Sequence, residues 1–104
     1  MDDNNETLEL KRRTYRLLFI KPCMSDRTKK MAEARLAQLP VLSGDISLPG
    51  YCSSYSAELQ LLRLTKGKKS LLVFHTGAVS IRNAEDERDV IETMDRLVAA
   101  LKKA

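Results

Sequence analysis

Residues 70–101, SLLVFHTGAVSIRNAEDERDVIETMDRLVAAL, join two strand-forming runs through a tight turn to a capped amphipathic helix. Ser70 to His75 is rich in Leu, Val and Phe, Thr76-Gly77 supplies a turn, and Val79 to Arg82 resumes an extended pattern. Beyond Ala84 the period changes. Val90, Ile91, Met94, Leu97, Val98 and Leu101 recur at helical spacing, which predicts a helix with one apolar stripe. Asp86 and Asp89 place negative charge beside the free N–H groups of its first turn, and Lys102 and Lys103 complement its far end.

Working upstream, Lys66-Gly67-Lys68-Lys69 reads as the turn of a hairpin whose other arm lies within Ala57–Thr65, AELQLLRLT, a mix that suits a strand without excluding a helix. Residues 41–56, VLSGDISLPGYCSSYS, hold two Gly, one Pro and five Ser, the composition of a loop with at most one short strand near Asp45 to Leu48. Thr14 to Lys21, TYRLLFIK, is dense in strand formers and stops at Pro22, which cannot donate a ladder hydrogen bond. Ser25 or Asp26 then caps a predicted helix through Leu39, with Met31, Ala32, Leu36 and Leu39 on one face and Lys29, Lys30 and Glu33 outside, ended by Pro40. The expected fold class is α+β: an antiparallel sheet of four to five strands with two helices on one face, in the order β-α-β-β-β-β-α. Residues 1–12 read as a mobile acidic tail and 13–104 as one α+β domain.

Charge is unevenly spread. The net +4 divides into −4 over residues 1–9, +9 over 10–69 and −1 over 70–104. A positive middle suits an anionic partner such as nucleic acid, since clustered Lys and Arg attract phosphate and release its counterions; the plainer reading is a solvated basic face. No run approaches the roughly 18 apolar residues of a membrane span, and the acidic start is unlike a signal peptide, so a cytoplasmic location without membrane contact is the simplest expectation. Cys23 and Cys52 lack CxxC spacing and read as two free thiols in a reducing compartment.

Signals for catalysis are weak. His75 is the sole histidine, so any metal site within one chain would draw three ligands from Cys23, Cys52 and His75, and no local pattern around either thiol suggests a Cys-His nucleophile. The carboxylates Glu85, Asp86, Glu87 and Asp89 have a sufficient structural role at a helix start. There is no P-loop or GxGxxG, and neither cofactor nor metal is expected.

The strands carry apolar residues on both faces. Tyr15, Leu17 and Phe19 alternate with Arg16, Leu18 and Ile20, and Leu72 and Phe74 alternate with Leu71, Val73 and His75. With helices covering one face, Leu18, Ile20, Leu72 and Phe74 remain for the other, and an apolar open face implies a partner.

The order of elements and residues 71 to 97 resemble one repeat of the TATA-box-binding protein core fold. The matching features are the strand Leu71-Leu72-Val73-Phe74, the turn His75-Thr76-Gly77, the strand Val79 to Arg82 and the acidic helix start Ala84-Glu85-Asp86-Glu87, with Cys23 similar to a cysteine after that family's first strand. The resemblance implies that Phe74 is a wedge at a kinked base step, that Arg63 lies near phosphate, and that Leu72 and Thr76 share its concave face. Departures are Ala57 where that family has a second phenylalanine, Arg82 in place of a small hydroxyl residue and Ala78 in place of a lysine. That family's saddle needs two repeats, which a homodimer of this chain would supply by two-fold symmetry.

Two functions follow as expectations for a small non-enzymatic binding domain. In the first, nucleic acid binds the open face, with Arg16, Arg63, Lys66, Lys68, Lys69 and Arg82 on phosphate and Phe74 stacking or wedging. In the second, Leu18, Ile20, Leu61, Leu72 and Phe74 form a homodimer or protein interface.

Overall fold

The computed structural model describes residues 14–103. The expected tail at 1–12 lies outside them. Six antiparallel strands form one sheet: β1 (Tyr15–Pro22), β2 (Lys30–Leu36), β3 (Cys52–Ser56), β4 (Leu61–Lys66), β5 (Lys69–Phe74) and β6 (Ala78–Ala84), in the spatial order β1-β2-β6-β5-β4-β3. The helix α1 (Glu87–Lys103) follows β6. The α+β class and antiparallel sheet agree with expectation. The strand count and the second helix do not, because the described order is β-β-β-β-β-β-α.

The predicted helix through Leu39 is instead the hairpin β1–β2. Asp26 does not cap a helix; its carboxylate accepts hydrogen bonds from the Thr28 amide at 3.0 Å and the Thr28 hydroxyl at 2.6 Å, which builds the turn and holds its pKa below the usual value. Lys30–Leu36 then alternates, with Ala32, Ala34 and Leu36 buried and Glu33 and Arg35 exposed. Its residues are good helix formers, but pairing on both sides, to β1 and β6, gives its backbone ladder hydrogen bonds in place of those a helix would make internally. Leu39, expected on the buried stripe, is 72% exposed.

The stretch around Asp45 to Leu48 is loop, although Ile46 and Leu48 reach into the core, and the extra strand is β3. Ala57–Gln60 is a turn, so the hairpin arm starts later than expected, at Leu61.

One face of the sheet presents Leu62, Leu64, Leu71, Val73, Val79 and Ile81, each at most 1% exposed, to a core completed by Val90, Met94 and Leu97 of α1 and by Ile46 and Leu48 of the loop before β3. Burying each such side chain contributes about 1.5–3 kcal/mol. Ile91 of the expected stripe is left 40% exposed, and Thr93 is buried in its place. The helix start is a reciprocal cap. Asp86 Oδ1 accepts from the Asp89 amide at 2.8 Å, and Asp89 Oδ2 accepts from the Glu85 amide at 2.8 Å. Lys69 Nζ donates to Asp89 Oδ1 at 2.8 Å and to Thr93 Oγ1 at 2.7 Å, tying the helix to β5. At the β5–β6 turn Gly77 has φ +93°, and its carbonyl accepts from the Leu36 amide at 2.8 Å.

Candidate functional site

Directly paired residues of antiparallel strands share a face, so the register defines the side of the sheet that α1 leaves open. Three rows cross it from β1 to β3. The first runs Arg16, Arg35, Ala78 and, one residue beyond the last β5–β6 pair, Phe74, Leu61, Ser56; the second Phe19, Glu33, Ser80, Leu72, Arg63, Ser54; the third is broken by a register shift between β2 and β6, with Lys21 and Met31 on one side of it and Arg82, Ser70, Thr65 and Cys52 on the other. The five cations, Arg16, Lys21, Arg35, Arg63 and Arg82, are exposed, while Phe19, Met31, Leu61, Leu72, Phe74 and Ala78 are half-buried. The face is thus a shallow apolar floor studded with positive charge, with Glu33 as its one carboxylate among the described residues.

Its electrostatics are uncompensated. Arg16 stands directly opposite Arg35, an arrangement that costs stability in a sheet. Among the described residues none of the open-face arginines forms an ion pair. The two ion pairs among the described residues, Lys29–Glu85 at 2.8 Å and Lys69–Asp89 at 2.8 Å, both involve lysines away from this face. The Lys21 ammonium lies 4.9 Å from the centre of the Phe19 ring, a cation–π contact that leaves the charge at the surface.

The structure divides the residues expected to bind nucleic acid. Arg16, Arg63, Arg82 and Phe74 come together on the open face. Lys66 and Lys69 alternate onto the helix side, where both lie over the Tyr51 ring, at 5.7 and 5.4 Å, and Lys69 is committed to Asp89. Lys68 sits in the turn between β4 and β5, its carbonyl accepting from Asn83 Nδ2 at 2.9 Å. Together with Asp26, Lys29, Asn83, Glu85 and Asp89 these lysines line a cleft of about 360 Å³ whose charges are mixed.

Of the expected interface residues, Leu61 and Leu72 are on the open face, and Leu18 is 46% exposed. Ile20 is not on that face. A bulge between Leu17 and Phe19 inserts Leu18 as an extra residue, so every side chain beyond it changes sides: Ile20 opposes Ala32 and packs on the core, and Phe19 comes to the open face. Phe19 and Lys21 were missed because of this bulge, and Met31 and Arg35 because Lys30–Leu36 reads as a helix. The period-two pattern Ala32, Ala34, Leu36 against Glu33, Arg35 was the signal for Arg35; no sequence pattern marks the bulge.

Cys23 and Cys52 are free thiols at opposite edges of the sheet, the first buried and the second exposed. A hydrogen bond with Ser25, at 3.4 Å, holds the Cys23 thiol below its ordinary pKa although burial pushes the other way. His75 is exposed beyond the end of β5, its amide donating to the Gln60 carbonyl at 3.2 Å. Among the described residues no three His, Cys, Asp or Glu side chains are grouped to hold a metal ion. Nor is any described helix long and apolar enough to cross a membrane. In comparisons with known proteins, no family model matches the chain, and neither do any curated protein or solved structure.

Proposed function

We propose that the open sheet face binds nucleic acid as a single strand, its arginines and Lys21 meeting phosphate and Phe19, Leu72 and Phe74 meeting base faces. The observation that carries this reading is the pair Arg16 and Arg35, held directly opposite each other with no carboxylate partner among the described residues. Uncompensated like charges destabilise a sheet by a few tenths of a kcal/mol up to about 1 kcal/mol, and a polyanion removes that cost when it binds. Half-buried apolar side chains between the cations suit unstacked bases, whose faces stack on aromatics without regard to sequence.

Two alternatives fit less well. Six strands at about 4.8 Å spacing make a face about 24 Å wide, against grooves of about 6 and 12 Å in duplex DNA. The resemblance to the TATA-box-binding fold would overcome this by wedging Phe74 into an opened minor groove, but Ala57, at the position of the companion wedge, sits in the turn before β4. Self-association face to face would bring five cations of one copy against five of another, with Glu33 alone to offset them.

The test is fluorescence anisotropy with single-stranded DNA and RNA of about 16 nucleotides and with a duplex of equal length. Arg35→Gln and Arg63→Gln should each weaken single-strand binding severalfold, while Lys102→Gln, on the exposed helix end, should leave it unchanged. Equal losses in all three would assign binding to overall charge, and no binding by the parent protein would end the proposal.

A further inference from the structure

The two edges of the sheet are unlike each other. β1 is interrupted by the bulge at Leu17/Phe19, ends at Pro22 and carries Arg16 and Lys21, three features that discourage a further strand from pairing. β3, CSSYS, has none of them: it is straight in register with β4 over all five residues, uncharged and free of proline. Cys52, Ser53 and Ser54 are exposed. Among the described residues its outward backbone N–H and C=O groups have no partner in another element; the hydrogen bonds of its side chains, Ser53 Oγ to the Ile46 carbonyl at 2.9 Å and the Leu59 amide to Ser56 Oγ at 3.2 Å, leave the outer edge open.

We propose that β3 pairs antiparallel with β3 of a second copy of this chain about a two-fold axis through Ser54. Such an edge accepts only an extended strand with unpaired backbone groups, and β3 itself is one. Its neutrality means that no charge meets its like across the axis. The ends are complementary: Glu58 follows the Ser56 end and Lys66 of β4 flanks the Cys52 end, both exposed, so antiparallel pairing brings Glu58 of each copy toward Lys66 of the other. Parallel pairing would set Glu58 beside Glu58. In this register Ser54 faces its own counterpart and Cys52 faces Ser56. A two-fold axis normal to the sheet leaves both open faces on the same side, as one platform of twelve strands. The dimer does not depend on what that platform binds.

Mass and thiol cross-linking test it. The protein should sediment as a dimer. In a Cys52→Ser background, Ser54→Cys places two thiols on Cα atoms about 4.5–5.5 Å apart, within disulfide range, and mild oxidation should link the chains at least about tenfold faster than Glu92→Cys on the exposed helix surface. The parent's Cys52, facing Ser56, should link no faster than that control. Ser54→Lys, which opposes two ammonium groups, should give a folded monomer that still melts cooperatively, its melting temperature lowered only by the few degrees that a Lys opposite Arg63 of β4 costs. A monomer at every soluble concentration, a dimer indifferent to Ser54→Lys, or Ser54→Cys linking no faster than Glu92→Cys would each overturn the proposal.

Discussion

Replacing Asp89 by Ala should be among the most damaging single changes to this fold. Its two carboxylate oxygens serve three partners: Lys69 Nζ at 2.8 Å, the Glu85 amide at 2.8 Å and Thr93 Oγ1 at 3.3 Å. The side chains of Lys69 and Asp89 are only 12% and 23% exposed. Burial alone would raise the Asp89 pKa, but the hydrogen bond from Lys69, that from the Glu85 amide and the Lys69 charge together outweigh it and hold the carboxylate below its ordinary 3.8. Truncation leaves a mostly buried ammonium with Thr93 and the Tyr51 ring as its remaining partners, and strips half of the helix cap. Breaking a fully buried pair from one side costs about 3–5 kcal/mol, and the residual exposure here brings that to about 2 kcal/mol. The lost cap adds about 1 kcal/mol, for about 3 kcal/mol in total. In a domain of this size that lowers the melting temperature by about 12–24 °C.

Urea and thermal unfolding followed by circular dichroism measure this directly. Lys69→Met should cost less than Asp89→Ala, because Asp89 keeps its amide and hydroxyl donors, and the double variant should recover part of the single-variant loss. The effect is also pH-dependent in a fixed direction. A carboxyl with a depressed folded pKa adds stability that is fully present above its unfolded value and is lost as pH falls below about 3.8 toward the folded pKa, so the gap between parent and Asp89→Ala should narrow there. An Asp89→Ala loss under about 1 kcal/mol, or a gap that widens in acid, would refute the reasoning.

Arg35→Gln should raise the melting temperature slightly while weakening nucleic-acid binding, since it relieves repulsion from Arg16; a loss of both would mean that Arg35 supports the fold instead. Tyr15 donates to Asp95 Oδ1 at 3.2 Å, and burial first, then the charge and hydrogen bond of Asp95, push its pKa up to about 12. A raised pKa gives stability that is present below pH 10 and is lost between about pH 10 and 12, so Tyr15→Phe should remove a late transition from the ultraviolet titration. Gly77→Val should destabilise by at least about 1 kcal/mol, because φ +93° excludes a β-branched residue.

The fold was legible where local pattern and tertiary environment agree. β1, β5, β6 and α1 were readable because alternation or helical spacing is reinforced by Pro22, by the turn at Gly77 and by Asp86 at the cap. Lys30–Leu36 was not, because Met, Ala, Glu, Arg and Leu favour a helix locally and are held as a strand only by two neighbours distant in sequence. β3 was hidden for the opposite reason: CSSYS has little strand propensity and is placed by its register with β4. The candidate site inherits both failures. Arg63, Arg82 and Phe74 could be assigned to one face from simple alternation, whereas Arg35 lay in the misread strand and Phe19 beyond a bulge. Lys66, Lys68 and Lys69 looked like a phosphate-binding turn in sequence, yet alternation from the same strands turns Lys66 and Lys69 toward the helix.

The measurement that bears most directly on the open face is the salt dependence of single-strand binding. Five cationic contacts to phosphate, at about 0.7 of a counterion each, predict a slope of about −3.5 in log K against log salt, and hence a loss of about 100-fold between about 50 and 200 mM salt. Arg63→Gln should flatten the slope by about 0.7. A slope near zero, or one that Arg63→Gln leaves unchanged, would contradict the assignment of this face to nucleic acid.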